Sequence, residues 1–163
     1  MRELEITDVS TEYIDNLNDR DSMRFSRNGF TEHSFHSQEI YIESFSGNTA
    51  KLFGIFHAID GRLIGTVSAY ASANFSSVNI GILIFKSFAN QGYGTEVLTS
   101  FTNYCLIDYG SLYAIVGMDN ENYGMARIAE KSGYSLLDDE KMFGAKINAP
   151  LNSNFLYYFK AKN

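Results

Sequence analysis

The sequence predicts an α/β fold in which helices flank a mixed central sheet. The first observation is a pair of β-rich runs, 51–59 and 62–70, separated by Asp60 and Gly61. Aspartate followed by glycine tolerates the positive φ of a tight turn, so these strands are expected to be antiparallel. The second observation is a strand–helix–strand–helix order in the middle of the chain, which is typical of parallel strands joined by a crossover helix.

The first third of the chain predicts one strand and two helices. Residues 4–9 alternate between apolar and polar side chains like a first strand, and 11–19 predict a short helix. Residues 34–45 predict a second helix, with apolar side chains near one face and a serine available as its N-cap. The apolar residues are Ile40, Tyr41 and Phe45, and the N-cap candidates are Ser34 and Ser37.

The rest of the chain alternates between apolar strands and helices that end at glycines. In order, the elements are strand 77–85, helix 93–108 ending at Gly110, strand 111–118, helix 122–134 ending at Gly133, and strands 134–138 and 155–160. The inward positions of the two helices are Val97, Leu98, Phe101, Tyr104 and Cys105, then Met125, Ile128 and Ala129. The stretch 139–153 contains the only proline, Pro150, and predicts a loop or an irregular hairpin arm.

Length, composition and charge predict a soluble, cytoplasmic protein. Its 163 residues suffice for one domain, expected to span 1–163, and 45% of them are apolar, which predicts a real core. The net charge of -6 argues against a nucleic-acid-binding surface, and no apolar run approaches the ~20 residues of a membrane span. Cys105 is the only cysteine, so no intrachain disulfide can form, and its apolar helical face predicts a buried, inert thiol.

The stretch FANQGYGTEV, residues 88–97, places Gly92 and Gly94 between a predicted strand and a predicted helix. The first N–H groups of a helix lack intrahelical partners, and their partial positive charge attracts an anion such as phosphate. Glycine suits this position because a Cβ would hold a bulky phosphate away from the backbone. The alternative is that the two glycines only turn the chain.

Two familiar phosphate-binding motifs are excluded at this junction. A dinucleotide fingerprint needs a third glycine where Val97 stands, and an acidic ribose partner near a point occupied by the apolar run LYAIV. A P-loop needs lysine and then serine or threonine after its last glycine, whereas Gly94 is followed by Thr95 and Glu96.

The segments NIGILIFKSFANQGYGTEVL and VGMDNENYGMARIAEKSGY together resemble the GNAT superfamily of acyl-CoA-dependent N-acyltransferases, in its branch similar to ribosomal-protein N-acetyltransferases. The resemblance is dense from about residue 52 to 137, and it implies a GNAT-like fold, acetyl-CoA as cosubstrate and no metal. It also implies cofactor-binding roles for the motif glycines with their neighbouring amides, for a strand end that pairs with the pantetheine arm, and for one asparagine. These residues are Gly92 and Gly94 with Asn90, Gln91 and Thr95, then Leu83, Ile84 and Phe85, and Asn122.

The chain departs from the family's pattern at positions that bear on catalysis. Ala129 stands where many members carry a tyrosine that protonates the leaving thiolate, and Asn79 stands where the strand often offers a basic glutamate. Ala89 replaces the glutamine or arginine of the phosphate motif, and Met125 replaces a small residue. Asn79 is therefore a candidate for positioning a water, and Asp119 is a candidate proton acceptor. The alternatives are that Asn79 caps a strand and that Asp119 caps the following loop.

The histidines and the basic residues of the last predicted helix give weaker indications of function than the glycine-rich junction does. His33 and His36 have a metal-like separation but no Cys or other His near them, and the resemblance implies instead that their segment borders the acceptor site. His57 alternates within a strand and predicts a hydrogen-bonded sheet residue. Arg127 and Lys131 predict a solvated helix face, with a contact to the coenzyme's adenosine phosphate as the alternative.

Two functions remain open at this point. The first is an acetyl-CoA-dependent N-acetyltransferase in which a primary amine attacks the thioester directly. Its acceptor would be a small molecule such as an amino sugar or polyamine, or a protein N-terminus. The second is a catalytically weak acyl-CoA-binding sensor module, which the absent tyrosine and glutamate would permit. No nucleic acid or membrane partner is expected, and a homodimer is left open.

Overall fold

The computed structural model describes residues 1–26, 29–47, 49–72, 76–108, 110–137 and 154–162, which contain a seven-stranded sheet and five α-helices. The strands are β1 (Arg2–Glu3), β2 (Ala50–Phe56), β3 (Leu63–Ala71), β4 (Ser77–Ile84), β5 (Tyr113–Asp119), β6 (Ser135–Leu136) and β7 (Phe155–Ala161). The helices are α1 (Thr11–Asn18), α2 (Arg20–Met23), α3 (Phe35–Glu43), α4 (Tyr93–Ile107) and α5 (Tyr123–Lys131).

The strand order across the sheet is β1-β2-β3-β4-β5-β7-β6. Strands pair antiparallel from β1 to β4 and again among β5, β7 and β6, whereas β4 and β5 pair in parallel. This order confirms the predicted mixed sheet with antiparallel N-terminal strands. The parallel pair arises because α4 carries the chain from the end of β4 back to the start of β5.

The predicted hairpin is present, with a longer connection than a tight turn. β2 pairs antiparallel with β3, and Gly61 has the positive φ of 72° that the Asp-Gly pair predicted. The strands stop at Phe56 and resume at Leu63, and the His57 N–H donates to the Arg62 carbonyl at 2.8 Å to close the loop. The prediction that His57 lies within a strand is therefore wrong.

The prediction of a first strand at 4–9 is also wrong. The strand is Arg2–Glu3, and Ile6–Asp8 form one turn of 3₁₀-helix. The Asp8 carboxylate accepts the Glu5 N–H at 2.9 Å and the Arg2 guanidinium at 2.7 Å. These hydrogen bonds stabilise a turn at residues where the prediction required an extended strand. The alternation of apolar and polar residues does not reveal such a side-chain-to-backbone hydrogen bond.

The predicted N-terminal helices form, and Tyr41 and Phe45 share the buried face of α3 as their grouping predicted, whereas Ile40 does not. Ser34 is its N-cap and accepts the Ser37 N–H at 3.2 Å. Ile40, predicted to face inward, is 56% exposed, whereas Gln38 is buried. Gln38 occupies an inward position because its side chain accepts the Tyr13 hydroxyl of α1 at 3.0 Å. The short helix α2 was not predicted, and Asp19 caps it.

Helices cover both faces of the sheet. On one face, Phe53 of β2 packs on Phe101 and Tyr104 of α4, with ring centroids 5.3 and 5.5 Å away. On the opposite face, Tyr70 of β3 packs on Phe45, which follows α3, at 5.3 Å. These faces are called the α4 face and the α3 face below.

The C-terminal half follows the prediction closely. Gly110 and Gly133 have φ of 77° and 81° just after α4 and α5. Cys105 is fully buried, and burial raises the pKa of its thiol to about 12, as expected of an inert core cysteine. The predicted strand 134–138 is observed as Ser135–Leu136, and the predicted arm 139–153 lies outside the described residues. In the described part of the chain, no helix is long and apolar enough to cross a bilayer.

Candidate cofactor and active site

The parallel strands β4 and β5 diverge and leave an opening in the middle of the sheet. Their register runs from Ser77 opposite Tyr113 to Asn79 opposite Ile115, and it ends there. β4 continues to Ile84 and β5 continues to Asp119. Beyond Asn79, the described parts of the two strands no longer pair with each other, although β4 still pairs with β3 and β5 with β7. Asn79 lies at the apex of this V-shaped opening.

The backbone of β4 offers hydrogen-bonding groups to the opening at alternate residues. The Phe85 N–H donates to the carbonyl of Ile64 in β3 at 2.9 Å, so Phe85 and Leu83 direct their main-chain groups toward β3. The intervening Ile84 and Ile82 direct theirs toward the opening. Of the three strand-end residues predicted for the pantetheine arm, only Ile84 has this orientation. Ile82, which was not among the predicted residues, has the same orientation as Ile84.

A row of unpaired amides lies at the wide end of the opening. The N–H groups of residues 90–94 make no hydrogen bond to any described residue. Asn90 and Gly92 have positive φ, 61° and 92°, and α4 begins at Tyr93. Consecutive amides that lead into a helix N-terminus form an anion site. These unpaired amides lie at the junction where the sequence predicted a cradle for phosphate.

Two of the predicted cradle residues behave differently from expectation. The Thr95 N–H donates to the Gly92 carbonyl at 3.1 Å, so its amide is already engaged in the first helical turn. Gly94 is buried, and a Cβ built on it would lie 2.7 Å from Cδ1 of Ile128 in α5. Gly94 thus lets α4 and α5 approach closely, and the prediction that its Cβ would displace a phosphate is wrong. A Cβ on Gly92 would meet open space.

Asn122 lies at the β5–α5 junction, beyond the other arm of the opening. Its side-chain oxygen accepts the Met125 N–H at 3.1 Å and caps α5, and its own N–H donates to the Asp119 carbonyl at 2.9 Å. With the side-chain oxygen engaged, the amide NH₂ is the group with which Asn122 could contact a pantetheine arm.

The structure does not bring the two catalytic candidates together. Asn79 is exposed at the apex, between Tyr70 of β3 and Ile115 of β5. Asp119 lies four residues beyond Ile115, about 13 Å along the strand. Its carboxylate accepts the Glu121 N–H at 2.9 Å, which is the loop-capping role that the sequence left as the alternative.

Tyr134 does not take the place of the tyrosine that the resemblance implies at Ala129. Ala129 is a fully buried residue of α5, and the hydroxyl of Tyr134, five residues later, lies 2.5 Å from Oγ1 of Thr102 in α4. Burial raises the pKa of Tyr134 far above its usual range, so this hydroxyl belongs to the core and not to the opening.

The histidines are tied to nearby structural groups. Gln38 Nε2 lies 3.0 Å from His33 Nδ1, which joins the loop before α3 to the buried Tyr13–Gln38 pair. His57 contacts Asp60 at 2.9 Å, and this hydrogen bond, followed by those from Arg62, lowers the pKa of Asp60 to about 2. Within the described ranges, no three His, Cys, Asp or Glu side chains gather as metal ligands. Arg127 and Lys131 are exposed, as a solvated helix face requires.

Comparison with known proteins accounts for this geometry. Residues 1–135 match the family model described as the Acetyltransferase (GNAT) domain. A probable N-acetyltransferase, YjcK of Bacillus subtilis (strain 168), is 32% identical over 84 residues, which is 50% of this chain. The match spans 46% of that relative, so the chain covers about half the length of the curated relative.

Solved structures share the whole fold at low sequence identity. A GNAT-family acetyltransferase from Bacillus anthracis superposes with a TM-score of 0.78 at 17% identity over 99% of this chain and 93% of that one. Spermidine N-acetyltransferase from Vibrio cholerae, solved with CoA and spermine, gives 0.77 at 18% identity over 99% and 94%. RimL, a ribosomal-protein alpha-N-acetyltransferase solved with coenzyme A, gives 0.80 at 14% identity over 98% and 92%. At these identities, the likeness establishes the fold alone.

Proposed function

Because the chain belongs to the GNAT acetyltransferase family, we propose that it transfers an acetyl group from acetyl-CoA to a primary amine. One observation carries the proposal: a sheet opened between β4 and β5, with unpaired backbone amides 90–94 at its wide end. The strands part beyond Asn79, and the chain that leaves the far end of β4 leads directly into the glycine-rich loop that carries the unpaired amides. Residues 1–163 would form one such catalytic domain.

The opening divides the binding of acetyl-CoA among three sets of groups. The amides of residues 90–94 would hold the pyrophosphate, since backbone N–H groups at a helix N-terminus favour anions. Ile82 and Ile84 would pair with the amide groups of the pantetheine arm as an added strand does, and Asn122 would contact the arm from the other side. The thioester would then lie near Asn79, where the two strands meet.

Direct attack requires a neutral amine close to the thioester carbonyl. A lysine-like amine with a pKa near 10.4 is about 3.4 units from pH 7, which costs roughly 4.6 kcal/mol. Partial desolvation and a water chain could supply that free energy without a dedicated carboxylate. In this proposal, Asn79 orders the water and Asp119 receives the proton.

The proposed acceptor is a small-molecule amine such as an amino sugar or a polyamine. Structural relatives named for spermidine and for a ribosomal protein both share this fold, so a protein N-terminus is the alternative acceptor. A second candidate function, an acyl-CoA-binding sensor, is favoured by one observation: the position of the family's tyrosine is the fully buried Ala129.

Acetyl-CoA is expected to raise the melting temperature of the protein. A ligand that binds only the folded state, at about 100 times its dissociation constant, adds roughly 2.7 kcal/mol of stability. For a chain of this size, the Tm should rise by roughly 5–10 °C, measured by differential scanning calorimetry. NAD serves as the control because it carries a pyrophosphate without a pantetheine arm. An unchanged Tm at millimolar acetyl-CoA would contradict the proposed function.

Replacement of Asn79 or Asp119 should lower the rate of acetyl transfer without weakening the binding of acetyl-CoA. Asn79→Ala and Asp119→Asn are each expected to lower kcat, by up to about 100-fold, with little change in the Kd for acetyl-CoA. Asp119→Asn keeps the oxygen that accepts the Glu121 N–H, so the loop cap survives while the proton acceptor is lost. Asp108→Asn, an exposed change at the far end of α4, is the control. An unaltered pH–rate profile in both variants would leave Asn79 and Asp119 with capping roles only.

A further inference from the structure

On the α3 face of the sheet, β4 and β5 form the floor of the opening, and each of them has a glycine there. Tyr70 is on this face because it packs on Phe45, and Asn79 shares the face as its cross-strand partner. Alternation then places Gly81 of β4 and Gly117 of β5 on the same face. Both glycines are exposed, so the backbone of both arms is accessible to a ligand that approaches from the α3 face.

Aromatic side chains flank this floor. A Cβ built on Gly117 would lie 2.8 Å from the Tyr157 ring of β7, so that ring leans across β5 beside the opening. On the other side, Tyr70 is 44% exposed, and its ring is held against Phe45. Its hydroxyl lies 3.5 Å from that of Tyr41 in α3, and burial, followed by the contact with Tyr70, raises the pKa of Tyr41. Tyr41 is therefore a neutral neighbour that holds Tyr70 in place.

The floor carries little charge. Among the described residues, the positions of β3, β4, β5 and β7 that share the face of Tyr70 are uncharged apart from Asp119. That carboxylate lies at the end of β5, about 13 Å along the strand from the level of Asn79. A polyamine brings several ammonium groups, each of which needs a carboxylate or water to offset desolvation. An exposed, fixed aromatic ring instead suits a flat, uncharged body.

Resting on the proposed function, we propose that the acceptor is a ring-bearing monoamine. The flat face of its sugar or aromatic ring stacks on Tyr70, and its single amino group lies over Asn79 at the apex of the opening. The amine nitrogen forms a bond to the acetyl carbon while the bond from that carbon to sulfur breaks. The electron pair leaves with the thiolate, and the nitrogen releases one proton, which passes through ordered water to Asp119 as in the proposed function. Tyr70 thereby determines which amines are accepted.

The test measures thiol release from acetyl-CoA with three amines at matched concentrations: glucosamine, tyramine and spermidine. At least one ring-bearing amine is expected to exceed spermidine in kcat/KM by about tenfold or more, and comparison of glucosamine with tyramine identifies the ring. Spermidine as the fastest acceptor would overturn this inference and leave the proposed function intact. Failure of all three amines to release thiol would also overturn this inference, whereas the proposed function is overturned separately, by an unchanged Tm at millimolar acetyl-CoA.

Variants at Tyr70 test the stacking itself. Tyr70→Ala should raise the KM for the preferred ring-bearing amine about tenfold and leave its KM for acetyl-CoA unchanged, whereas Tyr70→Phe keeps the ring and should stay within about threefold of wild type. Leu112→Ala, an exposed change just before β5, is the control. Equal losses in Tyr70→Ala and Tyr70→Phe would assign the effect to the hydroxyl and overturn the stacking role. If Tyr70→Ala does not fold, Tyr70→Leu replaces it.

Discussion

Gly92→Val is expected to weaken acetyl-CoA binding by roughly tenfold to a few hundredfold, which corresponds to the loss of one or two charge-assisted hydrogen bonds. Gly92 has a φ of 92°, which L side chains rarely adopt, and it lies among the unpaired amides 90–94. A β-branched residue would force the loop toward negative φ and turn those amides away from a common anion. Isothermal titration calorimetry with acetyl-CoA measures the effect.

Gly110→Val is the matched control for this change. Gly110 also has a positive φ, 77°, and a Cβ there also meets open space, but it lies beyond the opposite end of α4. Both variants should lose a similar, small part of their unfolding free energy, about 1–2 kcal/mol of backbone strain. Only Gly92→Val should lose affinity. A Gly92→Val protein with wild-type affinity would show that the glycines only turn the chain.

Gly94→Val is expected to cost about 1–3 kcal/mol of unfolding free energy through overpacking between α4 and α5. The reason is the 2.7 Å separation between a Cβ at position 94 and Cδ1 of Ile128. Affinity for acetyl-CoA should fall less than in Gly92→Val, because the new side chain points toward α5 and not into the cradle. Urea unfolding measures the first quantity and calorimetry the second.

Ile128→Ala supplies the test of cause for Gly94→Val. Removing most of the Ile128 side chain makes room for the valine. The loss of unfolding free energy in the double variant should therefore be smaller than the sum of the losses in the two single variants, by about 0.5 kcal/mol or more. Additive losses would show that the valine does not press on Ile128. A fall in affinity as large as that of Gly92→Val would show that a side chain at position 94 does disturb the cradle.

The parts of the fold that depend on near neighbours in sequence were predictable. The Asp60-Gly61 hairpin, the N-cap at Ser34 and the glycine stops at 110 and 133 all formed, since turn and cap chemistry acts over a few residues. The glycine-rich junction before α4 was identified for the same reason, because a helix N-terminus after a strand leaves its amides unpaired wherever it occurs. The same locality explains the failure at 4–9, where Asp8 hydrogen bonds replaced the alternating strand.

By itself, the sequence determined the class of fold, the glycine-rich junction at which a phosphate cradle is proposed, and the alanine at position 129 where the family often carries a tyrosine. The tertiary structure alone decided which way each group faces. Ile82 faces the opening because of the register of β4 on β3, Gly94 faces Ile128 because two helices cross there, and Gln38 is buried because Tyr13 lies opposite. Each of these outcomes depends on atoms brought together from distant parts of the chain. Hydrophobic periodicity and capping residues depend only on the helix or strand in which they occur. They therefore carry no information about contacts with distant parts of the chain.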